Sequence, residues 1–103
     1  MQTINLMLVK FENSYLENLY TGVQIKGKPR YGDQLVTKYK KKILMLKNVT
    51  NTQELSKIKS MNFEPLKGEK TGLFSIRIDQ GWRIEFKISE EVIKIVDLNN
   101  HYE

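Results

Sequence analysis

The stretch from Phe63 to Phe86, FEPLKGEKTGLFSIRIDQGWRIEF, constrains the fold more than any other part of the chain. Phe74, Ile76 and Ile78 alternate with Leu73, Ser75 and Arg77. After Asp79-Gln80-Gly81, the residues Trp82, Ile84, Phe86 and Ile88 alternate with Arg83, Glu85 and Lys87. A period of two belongs to strands with one apolar and one polar face. The connector suits a three-residue hairpin loop with Gly81 in the left-handed conformation, which predicts Ile78 opposite Trp82, Ile76 opposite Ile84 and Phe74 opposite Phe86. The same register sets Arg77 directly across from Arg83. Like charges facing each other on one sheet face destabilise by roughly 0.2–1 kcal/mol. Either the two guanidinium groups fan apart into water, or an anion sits between them. Guanidinium forks match phosphate geometry, so a phosphate clamp is the sharper of the two expectations. A polar-face position also predicts that truncating Arg83 leaves the core intact.

Charge is distributed unevenly. The net charge is +5, and residues 21–70 hold 12 Lys/Arg against 4 Asp/Glu. Such a segment suggests a polyanionic partner, because phosphate contacts release counterions and supply most non-specific nucleic-acid affinity. Lys26, Lys28 and Arg30 fall in a loop and Lys38, Lys41 and Lys42 on a helix, all as candidate phosphate contacts. A solvated, solubilising face is the competing explanation for the lysine run. With no cysteine and one histidine, neither a disulfide framework nor a thiolate or histidine-built metal site is expected, and the chemistry is expected to need no metal or cofactor. At 103 residues one domain is predicted. No stretch approaches the roughly 20 apolar residues of a membrane span. The opening MQTINLMLV lacks a basic leader and is interrupted by Lys10, so it reads as a strand, and a soluble, cytoplasmic protein is expected.

Along the chain, Thr3 to Val9 predicts a first strand with Ile4, Leu6 and Leu8 on one side. NSYLENLYTG predicts a short helix capped by Asn13 or Ser14, with Leu16, Leu19 and Tyr20 as its apolar stripe and Gly22 as its stop. After a loop over VQIKGKPRYG, Asp33 is expected to cap a long helix to about Val49, burying Leu35, Val36, Tyr39, Ile43 and Leu46. Asn51-Thr52-Gln53-Glu54 has capping-box spacing for another short helix. Phe63 to Lys67 predicts a strand, and Val92 to Leu98 a last one after a turn at Ser89-Glu90. Pairing Phe86 with Ile93 and Glu85 with Lys94 joins opposite charges. It also sets Val96 beside Arg83 and carries Asn99-Asn100-His101-Tyr102 to the arginine end of the sheet. There His101 and Tyr102 become candidate proton donors or acceptors.

These segments together resemble the RelE/ParE superfamily, and specifically the HigB-like, plasmid-maintenance-killer toxins of bacterial type II toxin–antitoxin systems. The resemblance rests on FENSYLENLYTG, the long basic second helix, FEPLKG, Gly72 to Ile78, Trp82 to Phe86 and the closing IVDLNNHYE. It implies an α+β fold with two N-terminal helices packed on an antiparallel sheet of about four strands. It further implies a ribosome-dependent endoribonuclease that cuts mRNA and a helix-turn-helix antitoxin of the HigA type as partner. Lys67 matches the lysine of the family's L-K-G motif and Arg83 the arginine of its W-R-I motif. Many members carry histidine where this chain has Glu64, and many end in aspartate-tyrosine-histidine where this one reads Asn100-His101-Tyr102. Glu64, His101 and Tyr102 are therefore the candidates for base and acid, His101 first, since an unperturbed imidazole titrates near pH 6.5. Two other readings stand beside this one: a ParE-like toxin that poisons DNA gyrase without cutting RNA, and a plain RNA-binding domain, for which Tyr31 and Tyr102 could stack bases.

Overall fold

A computed structural model of the chain describes residues 5–100. Three α-helices, α1 (Ser14–Thr21), α2 (Asp33–Leu46) and α3 (Gln53–Lys57), accompany five strands, β1 (Leu8–Phe11), β2 (Glu64–Pro65), β3 (Phe74–Asp79), β4 (Trp82–Ser89) and β5 (Val92–Asn99). The strands form one sheet in the order β1-β5-β4-β3-β2. Four of them are antiparallel neighbours, while β1 adds a fifth strand parallel to β5. The sheet is therefore mixed at one edge. The register of β1 also reverses the expected faces of the first strand. Val9 and Phe11 lie opposite Ile93 and Ile95, which point into the core, so Met7 is buried at 4% and Leu6 and Leu8 are exposed.

The β3–β4 hairpin keeps the predicted pairs Phe74–Phe86, Ile76–Ile84 and Arg77–Arg83. Beyond Arg77 the ladder shifts, and Asp79 rather than Ile78 opposes Trp82. Ile78 stays buried and Gly81 takes φ 77° in the tightened loop. The β4–β5 register differs more. The turn lies at Glu90-Glu91, so Ser89 meets Val92, Ile88 meets Ile93 and Phe86 meets Ile95; after a bulge, Glu85 opposes Asp97, Ile84 opposes Leu98 and Arg83 opposes Asn99. Both this register and the expected one, with Glu85 against Lys94, put Phe86, Ile93 and Ile95 on the core face, where all three are fully buried, so apolar alternation does not choose between them; the observed pairing goes with the two-residue turn, in which Glu90 takes φ 51°. Lys94 pairs instead with Glu12 at 3.6 Å.

The helices cover the apolar face. Asn13 Oδ1 accepts the Leu16 N–H at 2.9 Å and starts α1, which Gly22 closes at φ 84°. Gly32, extended at ψ 158°, precedes α2. Asp33 is thus its first helical residue, not its cap, and its carboxylate lies at the positive end of the helix dipole. α2 ends at Leu46, one turn short of Val49. At α3, Asn51 Oδ1 accepts from the Glu54 N–H at 3.1 Å, the forward bond of the expected capping box, while the Glu54 carboxylate reaches back to accept from the Thr50 N–H at 2.9 Å. Tyr39 of α2 is fully buried and donates its hydroxyl to the Leu16 carbonyl at 2.8 Å, joining α2 to α1. Burial pushes that hydroxyl's pKa far up. Phe63, Phe74 and Phe86 stack at centroid distances of 5.5–6.4 Å across the β2 end of the core.

Candidate functional site

Among the described residues, the buried polar or charged side chains are Ser75, Arg83 and Glu85. All three lie on the sheet face away from the helices, and Ser75 and Glu85 are directly opposed. The Arg83 guanidinium turns along this face towards β2. Its Nε donates to Ser75 Oγ at 3.0 Å, its Nη2 donates to the Asn62 carbonyl, and Nη2 stands 3.1 Å from Glu64 Oε1. Asn62 presents that carbonyl because it holds a left-handed conformation, φ 44°, just before β2. The pair is asymmetric in burial: the Arg83 side chain is 8% exposed and that of Glu64 54%. One cation is thus fixed in the sheet with an acid over it that faces water.

A second ion pair is built the opposite way. Glu85 keeps only 2% of its side chain exposed, while Lys70, at 44%, places Nζ 2.8 and 3.1 Å from the two carboxylate oxygens. Lys70 belongs to the connection between β2 and β3, a tight fold over residues 66–73. Its backbone bonds run from Leu66 N to Leu73 O, Lys70 N to Lys67 O, Thr71 N to Gly68 O and Leu73 N to Lys70 O, with the Thr71 hydroxyl on the Gly68 carbonyl at 2.7 Å. Gly68 at φ 68° and Gly72 at φ 98° allow the reversal. Lys67 starts this fold and is exposed.

The other residues singled out by sequence are spread more widely. Arg77 faces Arg83 in register but is exposed, and with Lys42 and Ser60 it lines a shallow hollow of about 410 Å³. The Arg83 guanidinium reaches towards Glu64, while Arg77, across from it in register, is exposed. Lys38 pairs with Asp79 at 3.1 Å, and the Gln80 N–H and Lys38 hold the Asp79 carboxyl below its usual range. Lys41, Lys26, Lys28 and Arg30 are exposed. Arg30 lies 4.5 Å from the centroid of the Tyr15 ring, and Tyr31 packs edge-on against Trp82. Asn99 stands opposite Arg83; His101 and Tyr102 lie outside the described residues. Sequence reasoning did not select Asn62, Ser75, Lys70 or Glu85. The predicted hairpin register already implied Ser75 opposite Glu85, and a serine beside an arginine on a polar strand face was the available signal.

This α+β architecture is shared with bacterial toxins of known structure. YafQ in the Escherichia coli DinJ–YafQ toxin–antitoxin complex is 16% identical, with 93% of each chain covered and a TM-score of 0.61. YafQ from E. coli strain BL21(DE3) is 15% identical over 89% of this chain and 90% of its own, with a TM-score of 0.59. A YoeB/ParE toxin from Agrobacterium tumefaciens is 21% identical over 93% of this chain and all of its own, with a TM-score of 0.58. At these identities the likeness is one of fold. No curated protein sequence matches the chain. The family model of the HigB-like toxin, the RelE-like toxin of the type II toxin–antitoxin system HigB, matches residues 9–101. The chain belongs to this family.

Proposed function

We propose that this toxin cuts translated mRNA on the ribosome and that a cognate helix-turn-helix antitoxin of the HigA type restrains it. The observation that carries the reading is the buried Arg83 guanidinium, fixed by Ser75 and bridged to the water-facing Glu64 at 3.1 Å. A phosphate arriving at Arg83 competes with an exposed carboxylate, which leaves at little cost because water re-solvates it. Glu64 is then released beside the bound phosphate. In the cleavage it takes the proton of the ribose 2′-hydroxyl, the O2′–P bond forms, and the P–O5′ bond breaks. Arg83 and Lys67 neutralise the charge developing on the phosphoryl oxygens. His101 or Tyr102 returns a proton to the leaving O5′. The products are a 2′,3′-cyclic phosphate and a 5′-hydroxyl end, and the steps are balanced without a metal. Lys26, Lys28, Arg30, Lys38, Lys41, Lys42 and Arg77 supply contacts to ribosomal or messenger phosphates. The antitoxin is inferred from the type II system of the family and from the toxin–antitoxin complex among the structural neighbours.

Inducing the chain alone is expected to arrest bacterial growth, with new 5′-hydroxyl ends inside translated messages, and co-expressed antitoxin is expected to restore growth. Intact messages together with DNA breaks and an SOS response would identify a gyrase poison and overturn the assignment.

A further inference from the structure

We infer that the Lys70–Glu85 ion pair is the positioning device of this site: it fixes residues 64–73 against the sheet so that Glu64 and Lys67 keep their places while Glu64 lets go of Arg83. The inference rests on the nuclease reading above. Its basis is the opposed burial of the two ion pairs. Arg83 and Glu85 are two residues apart on β4, so their Cα atoms stand roughly 6.7 Å apart on one face. Both are buried, and each holds an exposed partner from the same excursion of the chain, Glu64 at its start and Lys70 near its end.

The two pairs respond differently to an incoming phosphate. At Arg83 the phosphate substitutes for the departing carboxylate, so the buried cation is never left uncompensated. At Glu85 a phosphate can offer nothing, since it repels a carboxylate. Separating Lys70 from a side chain that is 2% exposed removes a cation from a desolvated anion. One ion pair is therefore exchangeable and the other locked. The lock acts on a compact piece of backbone, because the bonds from Leu66 to Leu73 and from Lys70 to Lys67 transmit the position of Lys70 to Lys67 and to the residue after Pro65. The ladder between β2 and β3 is short, with Glu64 opposite Ser75 and Pro65 opposite Phe74, and the Leu66 N–H to Leu73 carbonyl bond carries it one residue further. So short a strand by itself orients Glu64 poorly.

The test is Lys70→Met, with Lys70→Arg beside it, assayed on programmed ribosomes. Lys70→Met takes a cation from the buried Glu85 carboxylate and is expected to melt below the wild type, so it is assayed well below its melting temperature, with Lys70→Met/Glu85→Gln, which relieves the buried charge, beside it. Misplacing reacting groups by about 1 Å costs on the order of 100-fold in rate. The expected result is a kcat for Lys70→Met lowered by about 10- to 100-fold, KM nearly unchanged, and kcat largely restored in Lys70→Arg. The salt dependence of ribosome binding should match that of the wild type. A salt slope reduced by about one would mean that Lys70 touches a phosphate itself, and the positioning role would be overturned. Wild-type kcat in Lys70→Met would overturn it as well. If the wild-type protein cuts no message at all, the nuclease reading fails, which is a separate outcome.

Discussion

Arg83 shows how much a single side chain's direction matters. Its alternating position identified it as a polar-face residue, and that much was legible in the sequence. Its burial was not, because the cover comes from Asn62 and Glu64, residues about twenty positions earlier whose approach depends on a left-handed turn at Asn62. Truncation is therefore not the neutral surface change expected of an exposed strand residue. Arg83→Ala strips the Ser75 hydroxyl and the Asn62 carbonyl of a donor and opens space beside β2. Leaving buried polar groups short of a partner costs about 1–3 kcal/mol. Arg83→Ala is expected to lower the melting temperature and to abolish cleavage. Arg83→Lys keeps a charge but not the fork, so it should retain more stability and still lose most activity. A full-activity Arg83→Ala protein would remove Arg83 from the mechanism.

At the scale of elements, helix positions and hairpins were readable because each is set by neighbours in sequence: Asn13 before α1, Gly22 after it, the apolar alternation through β3 and β4. The β4–β5 register was not, because a shift by two residues keeps the same side chains on the core face and apolar alternation cannot tell the two pairings apart. Charge complementarity favoured Glu85 against Lys94, whereas the turn at Glu90-Glu91 sets Phe86 on Ile95. Beyond it a bulge brings Ile84 opposite Leu98, with Glu85 on the polar face beside Lys70. The turn has its own cost, because Glu90 holds φ 51°. A left-handed side chain costs about 1–2 kcal/mol, part of which glycine returns as unfolded-state entropy. Glu90→Gly is expected to stabilise by about 0.5–1 kcal/mol and to raise the melting temperature by about 2–8 °C. An unchanged or lower melting temperature would mean that the turn is held by more than its dihedral preference.

For the molecule as a whole, acid should act through identifiable carboxylates. Asp79 is held below its ordinary 3.8 by the Gln80 N–H and Lys38, and Glu54 below 4.5 by the Thr50 hydroxyl and N–H. A carboxyl depressed in the folded state contributes stability above its unfolded pKa and loses it as pH falls through the folded one. Melts are therefore expected to decline as pH drops below about 4.5, and the double variant Glu54→Gln with Asp79→Asn should flatten that decline. An equally steep acid limb in the variant would place its origin elsewhere. Sheet order has a consequence at this scale too. The chain is made from β1 to β5, yet β5 stands between β1 and β4. Until residues 92–99 have emerged, β1 has no neighbour to bond, and the strand that carries Arg83 and Glu85 is unpaired along one side. The sheet and the polar face that carries Arg83 and Glu85 are therefore completed only when β5 enters between its two neighbours.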